Sequence, residues 1–193
     1  MMLKNETDVI RLIQSDEYMM DILQAVRKID LPDWWICAGF VRSKIWDTLH
    51  GFHQRTELPD VDVIYFDNAN IGEDNEKAIE CVLAGMMPNA PWSVKNQARM
   101  HVLNQLPPYK SSEDAISKFP ETATALGVKL DMTKHLILSS PWGLNDVLTL
   151  QVKPTPLFIE RKELADIYLE RIKQKDWKAV WPKIIIDQLI END

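Results

Sequence analysis

The chain has 193 residues, 46% of them hydrophobic, and a formal net charge of −7. That length and composition describe one ordinary domain able to bury a sizeable core, and they exclude a low-complexity or disordered chain. No apolar run approaches the roughly eighteen residues of a membrane span, and the acidic balance weighs against a dedicated nonspecific nucleic-acid binder, which presents a basic face.

The opening MMLKNETDVIRLIQ has neither the basic start nor the continuous apolar run of a signal peptide. Cys37 and Cys81 both stand in apolar surroundings and read as reduced core thiols of a cytoplasmic protein. Residues 6–29 are expected as helix, interrupted near Ser15-Asp16, with Thr7 as N-cap and Val9, Leu12, Ile13, Ile22, Leu23 and Val26 at helical spacing. Pro32 marks the turn into a short strand, 36–38, that ends at Gly39, where backbone can turn tightly or approach a ligand. Helix follows over 41–49, with Val41, Ile45, Trp46 and Leu49 on one face, and Gly51 ends it.

Residues 59–66, PDVDVIYF, read as a strand rich in β-branched and aromatic side chains. A helix is expected at 73–83, closed by Gly85, and a third strand at 92–97 that runs on into helix. Lys95, Asn96, Gln97 and Arg99 make a dense polar run there. It fits either the exposed side of an edge strand or a wall of donors for a phosphate or base. Residues 112–116 start a helix capped by Ser111 or Ser112. Strands at 126–130 and 136–139 flank a hairpin turn at 131–134, and 141–146 is a turn with helix-start chemistry. Helix is expected over 157–175, with Arg161, Lys162, Glu163, Asp166, Glu170 and Arg171 on its solvated face. A short final helix is expected within 177–189, with Pro182 near its start. The chain shows no internal repeat and no linker. It reads as one domain, 1–193, with an N-terminal helical segment (1–30), a core (34–150) and C-terminal helices (157–190).

The alternation in the second strand carries the chemistry. Side chains two apart on a strand share a face, so Asp60 and Asp62 aim together while Val61 and Val63 point away. Adjacent carboxylates repel, and a divalent cation resolves the conflict: Mg²⁺ (or Mn²⁺) prefers oxygen ligands and is held by one or two carboxylates plus substrate phosphates. The alternative from the residues alone is a solvated strand entry. His50, His53, His101 and His135 lack metal-site spacing, and no Ser-His-Asp or Cys-His arrangement or dinucleotide fingerprint is present. Trp92 and Trp142 fit either packing or base stacking.

A strand ending in glycine, a helix and a D-h-D-h strand together resemble the DNA polymerase beta-like nucleotidyltransferase superfamily. Ala38-Gly39-Phe40-Val41-Arg42 is similar to the G-G-x-V-R-D opening of tRNA CCA-adding enzymes and bacterial poly(A) polymerases, with Phe40 following Gly39 and Ser43 in place of aspartate. More closely, W-W-x-x-A-G-x-V-R (34–42), D-x-D-V-x-Y-F-D (60–67), W-S-V-K-N-Q-A-R-M-H (92–101), E-T-A-T-A-x-G-V (121–128) and P-x-G-L-x-D-L (141–148) resemble a bacterial nucleotidyltransferase-like family of unassigned function. The resemblance implies an α+β fold, a small mixed sheet of the nucleotidyltransferase type flanked by helices, with extra helices at both termini. It implies Mg²⁺-dependent transfer of a nucleoside monophosphate from a nucleoside triphosphate to a hydroxyl, with Asp60 and Asp62 as metal ligands and catalytic acids. Gly39, Phe40, Arg42, Lys95, Asn96 and Arg99 would then surround the nucleotide.

The resemblance also implies a third acid near Val94–Asn96, because two-metal phosphoryl transfer uses a dense cluster of negative charge. No acid stands there, and Lys95 and Asn96 would oppose a second metal. Asp131 and Asp146 remain as acids that a fold could bring to Asp62. The rival expectation is therefore a catalytically inactive nucleotide-binding or partner-binding module. The acidic balance favours a small-molecule or protein acceptor over nucleic acid.

Overall fold

The computed structural model describes residues 3–189. The chain opens with helices α1 (Glu6–Gln14) and α2 (Glu17–Ile29). The break falls at Ser15-Asp16 because Asp16 caps α2, its carboxylate accepting from the Met19 N–H. Asn5, not Thr7, caps α1 through the Asp8 N–H. Both helices bury one apolar stripe, including Val9, Leu12, Ile13, Ile22, Leu23 and Val26.

The central unit follows as β1 (Trp35–Cys37), α3 (Gly39–His50), β2 (Val61–Tyr65), α4 (Glu73–Met86) and β3 (Trp92–Asn96). Then come α5 (Gln97–Met100), a single 3₁₀ turn, α6 (Ser112–Ile116) and the hairpin β4 (Gly127–Leu130) with β5 (Leu136–Ser139). Ser111 caps α6. The sheet order is β3-β2-β1-β4-β5, with β2 and β3 parallel and every other pair antiparallel. The parallel pair requires a crossover, and α4 supplies it. This is the mixed α+β sheet expected of the nucleotidyltransferase type.

The two faces of the sheet differ. Ile36, Val61, Val63, Val94 and Val128 join the large core under the helices. The opposite face carries Trp35, Cys37 and Ile64, which pack with Ile116 and Ala125 in a smaller cluster. Gly127 sits inside that cluster, where an added Cβ would lie 2.9 Å from Ile116 Cδ1. Asp62, Ser93 and Lys95 occupy this second face by strand alternation and register.

The C-terminal third departs most from expectation. After α7 (Asn145–Leu148) and β6 (Gln151–Val152), the single helix expected over 157–175 is two, α8 (Pro156–Glu160) and α9 (Lys162–Lys175). Arg161 between them is extended, at φ −115° and ψ 113°. The final helix is only α10 (Trp177–Val180), because Pro182 disfavours helical backbone at Trp181. Ile185–Ile186 instead form β7, parallel to β6. Two further corrections are local. Gly85 lies inside α4, which runs to Met86, and Cys81 is exposed on that helix while Cys37 is buried. Among the described residues no helix is long and apolar enough to cross a membrane.

Candidate functional site

The bend between β1 and α3 is the hinge of the site. Its strain falls on Ala38 rather than Gly39: Ala38 has φ 51° and ψ −114°, a region disfavoured for any residue with a Cβ. The bend is tied to β4 by the Ala38 N–H donating to Leu126 O at 3.0 Å. Among the described residues no side chain caps α3, and Gly39 at its start lines the cavity. An uncapped helix N-terminus is a ready anion site. Phe40 turns the other way and is 1% exposed, packed in the main core and not beside the cavity.

Asp60 and Asp62 line that same cavity of about 350 Å³, together with Gly39 and Arg42. The Asp62 carboxyl is pushed up to about 6, first by burial and then by the neighbouring charge of Asp60. Ser93, directly opposite Asp62 in the β2–β3 register, eases it back, as do Arg171 and Lys175. Two acids converging in a desolvated pocket carry negative charge that the protein only partly neutralises. That donor set fits one divalent cation that also binds phosphate oxygens.

Arg42 is 7% exposed, and its guanidinium carbon lies 5.0, 4.7 and 5.3 Å from the ring centroids of Trp46, Trp177 and Trp181. Cation–π contact contributes about 1–2 kcal/mol when desolvated, less than the cost of burying the charge. Its Nη2 donates to Ser43 Oγ at 3.1 Å, and its Nε has no partner among the described residues. Burial lowers its pKa to about 10, with Glu121, Asp60 and Asp47 pulling the other way. Asp47 does not pair with it. Its carboxylate instead accepts from Thr56 and, at 2.8 Å, from Trp181 Nε1, which pins the tryptophan wall in place.

Sequence reasoning missed the rest of this wall. Arg171 and Lys175, one turn apart on α9, both line the cavity. Arg171 Nε donates at 2.7 Å to Oε1 of Glu121, which is fully buried and also accepts from Thr124 Oγ1 at 2.6 Å. Arg171 belongs to the helix face that the sequence alone reads as solvated.

The other residues expected around the nucleotide lie elsewhere. Asn96 is buried and holds the loop after β2, donating to Asp67 O and Asn70 O and accepting from the Asp67 N–H. Arg99 makes two contacts of 2.7 and 2.6 Å to Glu76. Lys95 faces a neighbouring cavity instead. Asp131 organises its own hairpin turn, and Asp146 pairs with Lys153 at 2.8 Å, so neither supplies the third acid. Among the described residues no three His, Cys, Asp or Glu side chains group to hold a metal ion. Trp92 packs on the core, and Trp142 donates to Ser117 O.

A family model described as nucleotidyltransferase matches residues 24–186. Among solved structures, one in which the NMR structure reveals a CCA-adding enzyme head domain is 34% identical, with a TM-score of 0.87, covering 96% of this chain and 97% of that one. The Thermotoga maritima CCA-adding enzyme complexed with tRNA aligns at TM-score 0.57 and 12% identity, covering 97% of this chain and 43% of that one. A CCA-adding enzyme complexed with ATP aligns at TM-score 0.54 and 12% identity, covering 90% and 42%. At that identity these last two show a shared fold alone, and the chain spans less than half the length of either. Comparison with curated protein sequences gives no match.

Proposed function

Since this chain belongs to the nucleotidyltransferase family, we propose that it binds a nucleoside triphosphate in the cavity between Gly39, Arg42, Asp60 and Asp62. There it would transfer the nucleoside monophosphate to an acceptor hydroxyl. The observation that carries this reading is Arg42: a buried guanidinium boxed by three tryptophans, with a free Nε and no ion pair among the described residues. Such a charge calls for an anion brought by a ligand, and arginine's planar fork matches phosphate.

Asp60 and Asp62 would hold Mg²⁺, which when bound would neutralise charge on the triphosphate. The open N-terminus of α3 and Arg42 would grip the phosphates, with Lys175 and Arg171 above them. In the transfer, the acceptor oxygen bonds to the α-phosphorus while the bond from that phosphorus to the bridging oxygen of the β-phosphate breaks. Pyrophosphate leaves with that electron pair, and the hydroxyl proton passes to solvent. Positioning and charge stabilisation account for most of the acceleration in such chemistry.

The two-acid cluster favours a second reading, a nucleotide-binding module without turnover. Titrating ATP, CTP, GTP and UTP with Mg²⁺, while following amide shifts and pyrophosphate release, separates the two. Shifts at Gly39, Asp60 and Asp62 are expected with at least one nucleotide. Shifts without pyrophosphate in the presence of candidate acceptors favour the silent module, and no shifts with any of the four remove both readings.

A further inference from the structure

A second cavity, of about 270 Å³, adjoins the first and shares Ala38, Asp62 and Arg171 with it. From its lining we infer that it is the acceptor subsite, and that the acceptor is a small hydroxyl-bearing anion with an apolar body; this rests on the nucleotide reading above. Placement is the first argument. Asp62 forms part of both walls, so a molecule in the second cavity can bring a hydroxyl to a phosphate held in the first.

Charge is the second argument. Lys95 shares its acid: its Nζ lies 3.6 Å from Glu76, whose two oxygens also take the guanidinium of Arg99 and the N–H of Asn96. One carboxylate thus faces two cations, and Lys95, the more distantly held of the two, lines the cavity. Lys118, which pairs with Asp114 at 3.4 Å, and Arg171, which pairs with Glu121, also line the cavity, and Asp62 is the only acid in its lining among the described residues. Gln97 adds a polar group. It is 5% exposed, and among the described residues its amide nitrogen makes a single 3.4 Å contact, to Lys95 O. A buried amide so weakly engaged is costly unless a ligand completes it.

Apolar surface is the third argument. Ile64, Phe119 and Pro120 add apolar surface to the lining, with the ring of Tyr109, which suits a ring or short hydrocarbon. The cavity's size suits a small molecule. Attack by its hydroxyl oxygen on the α-phosphorus displaces pyrophosphate as written above, and the product is the phosphodiester-linked nucleotide conjugate of the anion.

The test uses the whole chain saturated with MgATP, or with whichever Mg-nucleotide gives shifts. 4-Hydroxyphenylacetate and 3-phenyllactate are the probes, with phenylacetate as the hydroxyl-free control. Amide shifts are expected at Gln97 and Thr124, and Lys95→Ala is expected to weaken probe binding at least tenfold while its spectrum stays folded. Lys118→Ala, at a second lysine of the lining, serves as the second variant and is expected to weaken it as well. Nucleotide shifts at Gly39 and Asp60 with no probe shifts at Gln97 overturn the acceptor subsite and leave the nucleotide reading standing. So does probe binding undiminished in both lysine variants. Absence of any nucleotide shift overturns the acceptor role together with the reading it rests on.

Discussion

Asp62 stands directly across the parallel β2–β3 ladder from Ser93. The neighbouring strand therefore offers Asp62 a hydroxyl partner where a carboxylate would add charge. The serine relieves only part of the strain on Asp62, whose carboxyl remains at about 6.

The pH dependence of stability follows from that value. A carboxyl raised from 3.8 to about 6 binds its proton more tightly in the folded chain than in the unfolded one. Stability is then lost as pH rises between those values and does not return above them. The full shift corresponds to about 3 kcal/mol, and solvent reaching the cavity reduces this to about 1–2 kcal/mol. Asp62→Asn is expected to be more stable than the parent by that amount at pH 7.5 and unchanged at pH 4. Urea unfolding in EDTA measures both, and an equal gain at the two pH values would count against the electrostatic account.

Ser93→Asp places a third acid in register with Asp62. In the apo protein it adds repulsion and is expected to cost about 1–2 kcal/mol. With Mn²⁺ the same change is expected to tighten metal binding about tenfold or more, since affinity in such oxygen sites rises with ligand charge. Calorimetric titration decides it, and unchanged Mn²⁺ affinity would mean that the two carboxyls do not share a cation.

Glu121 and Arg171 form an ion pair with one end fully buried and the other about a third exposed, at 34%. Arg171→Met leaves the buried acid uncompensated and is expected to cost about 3 kcal/mol, the low end for a broken buried pair because of that exposure. The double change Glu121→Met with Arg171→Met is expected to recover most of the loss. A thermodynamic cycle by denaturant unfolding reads the coupling, and additive losses would show that the pair contributes nothing jointly.

Ala38 provides a backbone test. Removing its Cβ relieves a positive φ that costs about 1–3 kcal/mol, against about 0.5–1 kcal/mol for glycine's extra freedom when unfolded. Ala38→Gly is expected to raise Tm by about 2–4 °C, and Ala38→Val to lower it by more. A destabilised glycine variant would show that the bend is not strained.

The residues that could be read from the sequence are those whose signal is local. Asp60 and Asp62 declare a shared face because strand side chains alternate, and the bend declares itself by small residues between an apolar strand and a helix. Arg171, Lys175, Trp177 and Trp181 gave no such signal, because their partners lie far away in the chain. Helical spacing alone put Arg171 on a solvated face, whereas tertiary packing turns it onto Glu121, which is 50 residues earlier. The break at Arg161 has no glycine or proline to announce it, and β6 and β7 are two residues each, too short for any pattern. Arg99 and Asn96 looked like ligand donors because the sequence does not show that Glu76 and the loop after β2 already occupy them.

The link from Trp181 Nε1 to Asp47 spans 134 residues. On the ribosome, domains assemble from the N-terminus as they emerge. A nascent chain can therefore form the acid-bearing strand and expose the Arg42 guanidinium to water well before Trp177 and Trp181, two of the three indoles that enclose it, have been translated. Until then the arginine is merely a solvated cation with no selectivity for phosphate, so translation order itself delays ligand capture until this long-range closure is made.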